Sequence, residues 1–367
     1  MKKYLTFVVA ALLLAACTSK TEQAETFKIN VNLANADNQT LYLQKDGQVL
    51  DSALIQNWEA VFETPVCADN EMYAIMMKGW RRPFMFFTDN VDITLEGDSQ
   101  NTSAILVKGS ETQARFDTFT EGFNKLDAQI DSIAALLQEA KQAGDAEAIA
   151  QLELQHADAQ EIEKMYCFDY IWEHPTDMAA HYVLNRYKWL FGPCEIRTMI
   201  DNINAADSTL VSSNLVLMTE YVESQERVQA GQPLIDFTQN DADGNPITLS
   251  ELAAGKLLLV DFWASWCPDC RKANPDVVAA YQRFHEQGFD VLGVSFDTDR
   301  AKWLAAIEKD GLTWTHVSDL KGWGNAAGAL YAISFIPQNA LIKDGMIVAR
   351  NLEGEALMTE IEAQLGK

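Results

Sequence analysis

Residues 27–33 (Phe27-Lys28-Ile29-Asn30-Val31-Asn32-Leu33) alternate apolar and polar side chains without a break, the period-two pattern of a half-buried strand. Leu41-Tyr42-Leu43 runs into Lys45-Asp46-Gly47, a hairpin-type turn signal, and short apolar runs recur at 59–62, 72–77, 84–87 and 91–95. Short strands at regular spacing predict a small β-sandwich or barrel over residues 27–108. From residue 111 the period changes: Phe119, Phe123, Leu126, Ile130, Ile133 and Leu137 recur at helical spacing. Gly144-Asp145 interrupts the run, and a second helix continues to about Trp172. His174-Pro175-Thr176 stops it, because a residue before proline avoids the α region. Thr176 is expected to cap a helix through Tyr187, and two or three shorter helices fill 195–228. Past Gly231-Gln232-Pro233, β and α patterns alternate, which predicts an α/β domain over 231–367. The chain therefore reads as multidomain: a β-rich part, a helical segment over 111–229, and a C-terminal α/β domain.

The first 26 residues fit none of these patterns. Lys2 and Lys3 precede an apolar run over 7–16 that is too short to span a bilayer. Leu14-Ala15-Ala16-Cys17 resembles the bacterial lipobox. That resemblance implies a signal peptide over 1–16, lipidation of Cys17 and a polar tether over 17–26. The protein would then be anchored in the cell envelope, facing the periplasm. Thr18 is not the Asp that favours inner-membrane retention, so the outer membrane is preferred. Each buried acyl methylene contributes ~0.8 kcal/mol, so two or three chains hold permanently. The alternative is an ordinary secretory signal with an incidental Cys.

Charge narrows the partners. With 53 acidic and 28 basic residues the formal net charge is −25, which disfavours nucleic acid, since binding it requires basic patches. Of six cysteines, Cys17 goes to the lipid and Cys267 and Cys270 form a CxxC. Cys67, Cys167 and Cys194 remain, an odd number that cannot complete a disulfide framework. Cys167 and Cys194 either pair or stay as buried free thiols.

Residues 257–264 (Leu257-Leu258-Leu259-Val260-Asp261-Phe262-Trp263-Ala264) read as a fully buried strand running straight into Ser265-Trp266-Cys267-Pro268-Asp269-Cys270. A helix is expected from Pro268, which suits the first helical position. Cys267 would lie where unpaired N–H groups and the positive dipole end stabilise a thiolate, with Cys270 one turn on to resolve a mixed disulfide. Zinc ligation is the bland rival, but no second Cys/His pair is near. Residues 261–270 closely resemble the active-site stretch of thioredoxins. Asp243-Gly244-Asn245 with Leu249 and Leu252 resembles their membrane-tethered branch in thiol-disulfide interchange and cytochrome maturation. Residues 27–108 are similar to a β-domain of unknown function that often precedes such domains in bacterial lipoproteins.

The resemblance implies a thioredoxin fold with strands near 257–263, 290–296, 339–343 and 346–350. Helices follow at 268–287, 300–310 and 354–365, and an inserted segment at 313–331 carries Gly322-Trp323-Gly324. It implies dithiol-disulfide exchange with periplasmic protein thiols and disulfides, electrons from a membrane thiol donor, and no cofactor beyond the redox-active Cys267–Cys270 disulfide. Asp261 is the third candidate catalytic residue. A carboxylate on a Leu/Val strand is costly, and burial can raise its pKa enough to let it shuttle the Cys270 proton. Ser334-Phe335-Ile336-Pro337-Gln338 resembles the cis-proline loop that faces the CxxC. Substrate is expected to meet Trp266, Pro268, Asp269, Ile336 and Pro337. One departure stands out: the branch often has Glu three residues after the second Cys, where this chain has Ala273. Asp269, between the cysteines, should oppose the thiolate and favour a reducing potential, nearer ~−270 mV than ~−120 mV.

Weaker candidates fall away more easily. Trp263, Trp266 and Trp323 could form an apolar rim, although core packing accounts for Trp263 equally well. Asp241, Asp243 and Asn245 mimic a calcium loop but lack its Gly and Glu spacing, so a hairpin turn is expected. His316 is expected on a strand surface. The rivals to the redox reading are a thiol peroxidase, which needs a PxxxTxxC pattern the chain lacks, and a non-enzymatic surface-binding lipoprotein.

Overall fold

The computed structural model describes residues 26–66 and 72–366. The signal peptide, Cys17 and Cys67 lie outside the described residues. Among the described residues, no helix is long and apolar enough to cross a membrane. The chain divides into two compact units, residues 1–142 with 177–179, and residues 143–176 with 180–367.

In the first unit, β1 (Thr26–Ala34), β2 (Thr40–Lys45), β3 (Gln48–Leu54), β4 (Glu59–Pro65), β5 (Tyr73–Met77), β6 (Phe84–Phe86), β7 (Ile93–Asp98) and β8 (Asn101–Lys108) form two four-stranded sheets. Their orders are β4-β1-β7-β8 and β3-β2-β5-β6. The inward positions of β1, Phe27, Ile29, Val31 and Leu33, share one core with Leu41, Leu43, Tyr73 and Ile75 of the other sheet. This is a β-sandwich. The strands β3 and β8 are additions to the sequence expectation. β3 buries none of its seven residues and so has no hydrophobic period to read. The helix α1 (Glu111–Ala143) starts against the sandwich, where Gln113 accepts from Phe87 N–H (2.9 Å) and Asp89 from Thr112 N–H (2.9 Å).

The second unit opens with α2 (Ala146–Glu173), capped by Asp145, whose side chain accepts from Ala148 N–H. α3 (Met178–Arg186), α4 (Pro193–Ala206) and α5 (Ser213–Glu226) follow. Asp177, and not Thr176, receives the Ala179 N–H, which moves the expected cap by one residue. Cys167 and Cys194 are unpaired. Cys167 is buried in α2, and burial first and Glu163 second push its thiol up to about 12; Cys194 is exposed.

A hairpin of β9 (Thr238–Asn240) and β10 (Pro246–Thr248) leads to α6 (Leu249–Ala253) and the sheet of the C-terminal domain. In the hairpin turn, Asp241 accepts from the N–H groups of Asp243 and Asn245, both at 2.8 Å. Next come β11 (Leu257–Trp263), α7 (Pro268–Phe284), β12 (Phe289–Ser295), α8 (Arg300–Asp310), β13 (Thr315–Val317), α9 (Ala326–Leu330), β14 (Gln338–Lys343), β15 (Met346–Arg350) and α10 (Gly354–Leu365). The sheet order is β13-β12-β11-β14-β15, with β11 parallel to β12 and antiparallel to β14. All residues of β11 and β12 are buried, so helices cover both faces of these strands. This is the thioredoxin-like fold expected of the region. Its edge strand β13 has three residues, too few for a pattern to show.

His316, on β13, is a correction. It is 6% exposed and stacks between Trp314 and Trp263, with ring centroids 5.7 and 5.6 Å away. Space for the imidazole exists only because its register partner on β12 is Gly293: a Cβ there would meet His316 Nδ1 at 2.2 Å. Neither ring nitrogen has a hydrogen-bond partner at bonding geometry. Burial therefore lowers its pKa to about 4, against only a small opposing pull from the Leu312 carbonyl.

The expected boundary near 231 is pinned rather than loose. Gly231 N–H donates to Ile347 O (2.8 Å), Ile347 N–H to Gln232 O (2.8 Å) and Leu234 N–H to Gly345 O (2.9 Å), which extends the sheet past β15. Gln225 of α5 donates to Ala332 O (2.9 Å), and Arg350 donates to Val228 O (3.3 Å) and Tyr331 O (3.1 Å).

Candidate active site

The strand β11 ends at Trp263, and the chain turns through Ala264, Ser265 and Trp266 into α7, whose N-cap is Cys267. Pro268 takes the first helical position. Cys267 and Cys270 are joined by a disulfide, with Cα atoms 5.3 Å apart. The Cys270 N–H points at Cys267 Sγ at 3.1 Å. In the reduced protein that donor, with the positive end of a 17-residue helix, stabilises a thiolate on Cys267.

Cys267 is only 4% exposed and Cys270 1%, so the candidate nucleophile is less open than a helix-terminal thiol suggests. The cover is the loop before β14. Its Ile336–Pro337 peptide is cis, and Ile336 O lies 3.7 Å from Cys267 Sγ. Ile336 and Pro337 are half-buried, whereas Pro268 and Asp269 are exposed beside the disulfide. Trp266 (51% exposed) and Trp323 (55%) face each other with centroids 6.2 Å apart, and Trp266 Nε1 donates to Phe296 O at 3.2 Å. Trp263 is fully buried, so the apolar rim consists of Trp266 and Trp323 without it. Phe335, next to Ile336 in the loop that covers the disulfide, is 59% exposed and had no sequence signal beyond its position there.

Asp261 lies within β11, in register with Gly293 on one side and Asn339 on the other. It is buried, and desolvation raises its pKa from 3.8 to about 7. Such a carboxyl exchanges a proton near neutrality, as a partner for a buried thiol must. Sequence reading missed the groups around Ser265: Asp297, Arg271 and Asp310 come from three separate elements, and no local spacing links them.

Residues 230–350 match the AhpC/TSA family, and residues 27–116 match a domain of unknown function, DUF4369. The thiol-disulfide oxidoreductase ResA of Bacillus thuringiensis is 27% identical over 162 residues, which are 43% of this chain and 91% of that protein. ResA of Halalkalibacterium halodurans is 28% identical over 151 residues, 41% of this chain and 82% of that one. A solved thiol-disulfide oxidoreductase from Bacteroides fragilis shares 32% identity over 36% of this chain and 99% of its own, with a TM-score of 0.35.

Proposed function

We propose that the C-terminal domain, whose residues 230–350 match the AhpC/TSA family, is a thiol-disulfide oxidoreductase that works as a protein-disulfide reductase tethered at the cell envelope through Cys17. The supporting observation is the Cys267–Cys270 pair at the head of α7, with Cys270 N–H aimed at Cys267 Sγ. The Cys267 thiolate attacks a substrate disulfide, forming a mixed disulfide and releasing one substrate thiolate. Cys270, losing its proton to Asp261, attacks Cys267 Sγ; the Cys267–Cys270 disulfide forms and the second substrate thiolate leaves. Two electrons pass to the substrate; Asp261 passes the Cys270 proton on to solvent, and the two substrate thiolates take up protons from solvent. No bound cofactor enters this cycle. A membrane dithiol donor would return the two electrons. Substrate would lie across Trp266, Pro268 and Asp269 and along the backbone of Ile336 and Pro337.

Trapping tests the reading. A Cys270→Ala chain should accumulate mixed disulfides through Cys267 that mass spectrometry identifies as envelope proteins; a chain that captures none refutes it. Direction is checked by redox titration against glutathione or dithiothreitol. A potential near ~−270 mV supports a reductase, and one near ~−120 mV reverses the electron flow. The anchor is checked by fractionation: Cys17→Ser should move the protein from the membrane to the aqueous phase, and unchanged partitioning removes the lipid from the account.

A further inference from the structure

Ser265, two residues before the nucleophile, has its amide, carbonyl and hydroxyl all engaged. Its N–H (2.9 Å) and hydroxyl (2.5 Å) both donate to the carboxylate of Asp297, which is 1% exposed and also accepts from Ser295 Oγ at 2.8 Å. On the other side, Arg271 Nη1 donates to Ser265 O at 3.1 Å. Arg271 is paired in turn with Asp310, which also accepts from Asn274 Nδ2 at 2.7 Å. The loop that presents Cys267 is therefore gripped between a buried anion and a cation. Hydrogen-bond donors from neutral groups satisfy the anion's oxygens without cancelling its charge, and low-dielectric surroundings preserve its reach. Asp310 first, and Asp297 after it, hold the Arg271 guanidinium above its ordinary range.

We propose that Asp297 and Arg271, which grip Ser265 from opposite sides, are positioning residues whose opposed charges set how readily Cys267 ionises, Asp297 disfavouring the thiolate and Arg271 favouring it. This rests on the disulfide-exchange reading above. The other charged groups on these elements are Asp261 on β11, Asp269, Lys272, Asp276 and Arg283 on α7, and Arg300, Lys302, Glu308, Lys309 and Asp310 on α8; Asp269 and Lys272 are the nearest in sequence to Cys267 and Arg271, and all keep their charges in the variants below. The cis-proline loop, residues 334–337, contributes none.

The test is the rate of Cys267 alkylation against pH in the reduced full chain, read by peptide mass spectrometry. Asp297→Asn should lower the ionisation midpoint by about one unit, tenfold more thiolate at any pH well below it. Arg271→Gln should raise the midpoint by about half a unit. Above the midpoints a tenfold gain in thiolate stability is a tenfold shift of the dithiol-disulfide equilibrium, ~30 mV, so Asp297→Asn should be the more oxidising protein at alkaline pH. Ser265→Ala keeps both charges and should leave the midpoint within about 0.3 units. A role confined to holding the loop would change rates without moving midpoints, or would move all three variants alike; either result overturns the proposal. Should Asp297→Asn fail to fold, an unchanged or lowered midpoint in Arg271→Gln overturns it alone. If the wild-type chain shows no reversible Cys267–Cys270 couple, the exchange reading falls and takes this inference with it; a normal couple with unmoved midpoints sinks only the inference.

Discussion

Serine in place of Cys267 is expected to lower disulfide reduction by on the order of 10³-fold or more while leaving the fold intact. The substitution is close to isosteric at a residue already packed under Ile336, so little volume changes. What disappears is the only sulfur that combines the Cys270 N–H with the helix terminus. Cys270 cannot take over, because it lies inside α7 rather than at its N-cap, and its own N–H points at the position of Cys267 Sγ. The measurement is turnover of a protein disulfide with dithiothreitol as reductant. Cys167, buried in α2, should resist alkylation equally in both native proteins and so reports that the fold has survived. Retention of more than about a tenth of the wild-type rate would show that Cys267 is not the attacking atom.

The second large effect is on stability. A carboxyl that titrates at about 7 in the fold and near 3.8 unfolded binds a proton more tightly in the native state between those two values. Stability therefore falls as pH rises through that window, by about 4 kcal/mol in all, and the full loss is present above pH 7. Asp261→Asn removes the cost of the charge. It should raise unfolding free energy by several kcal/mol at pH 8 and change it little at pH 4, as read by urea denaturation at the two pH values. It should also slow resolution of the mixed disulfide, because Asn cannot accept the Cys270 proton. Equal effects at both pH values would mean that burial has not moved the Asp261 pKa. His316 runs the opposite way: its folded pKa, about 4, lies below its unfolded 6.5, so its contribution is complete above pH 6.5 and fades toward pH 4. The two slopes oppose each other over pH 4–6.5, and removing either group should expose the other.

Much of this was legible along the chain, for identifiable reasons. The continuous apolar run of β11 and the CxxC beyond it are local, and so is the anomaly of Asp261 among Leu and Val. The alternation in β1 and β4 is equally plain, because one face of each strand is buried. What stayed hidden is decided across the sheet. His316 is buried by a glycine 23 positions earlier on a neighbouring strand, and Asp297 reaches Ser265 across 32 residues. Ser, Asp and His are ordinary surface residues until tertiary structure encloses them. The same holds for β3, whose exposed edge leaves no trace in hydrophobicity.

The hydrogen bonds from Gln225 and Arg350 across residue 230, with the strand-like pairing of 231–234 on β15, leave the redox domain no joint of its own at that point. Gln225 binds the carbonyl of Ala332, four residues before Ile336, so the last long helix of the segment braces the base of the very loop that covers the disulfide. The mouth that receives a partner's sulfur thus has its heading dictated by α2–α5. A chain begun at residue 231 would lose the Gln225 bond to that loop and with it the bearing that holds it steady.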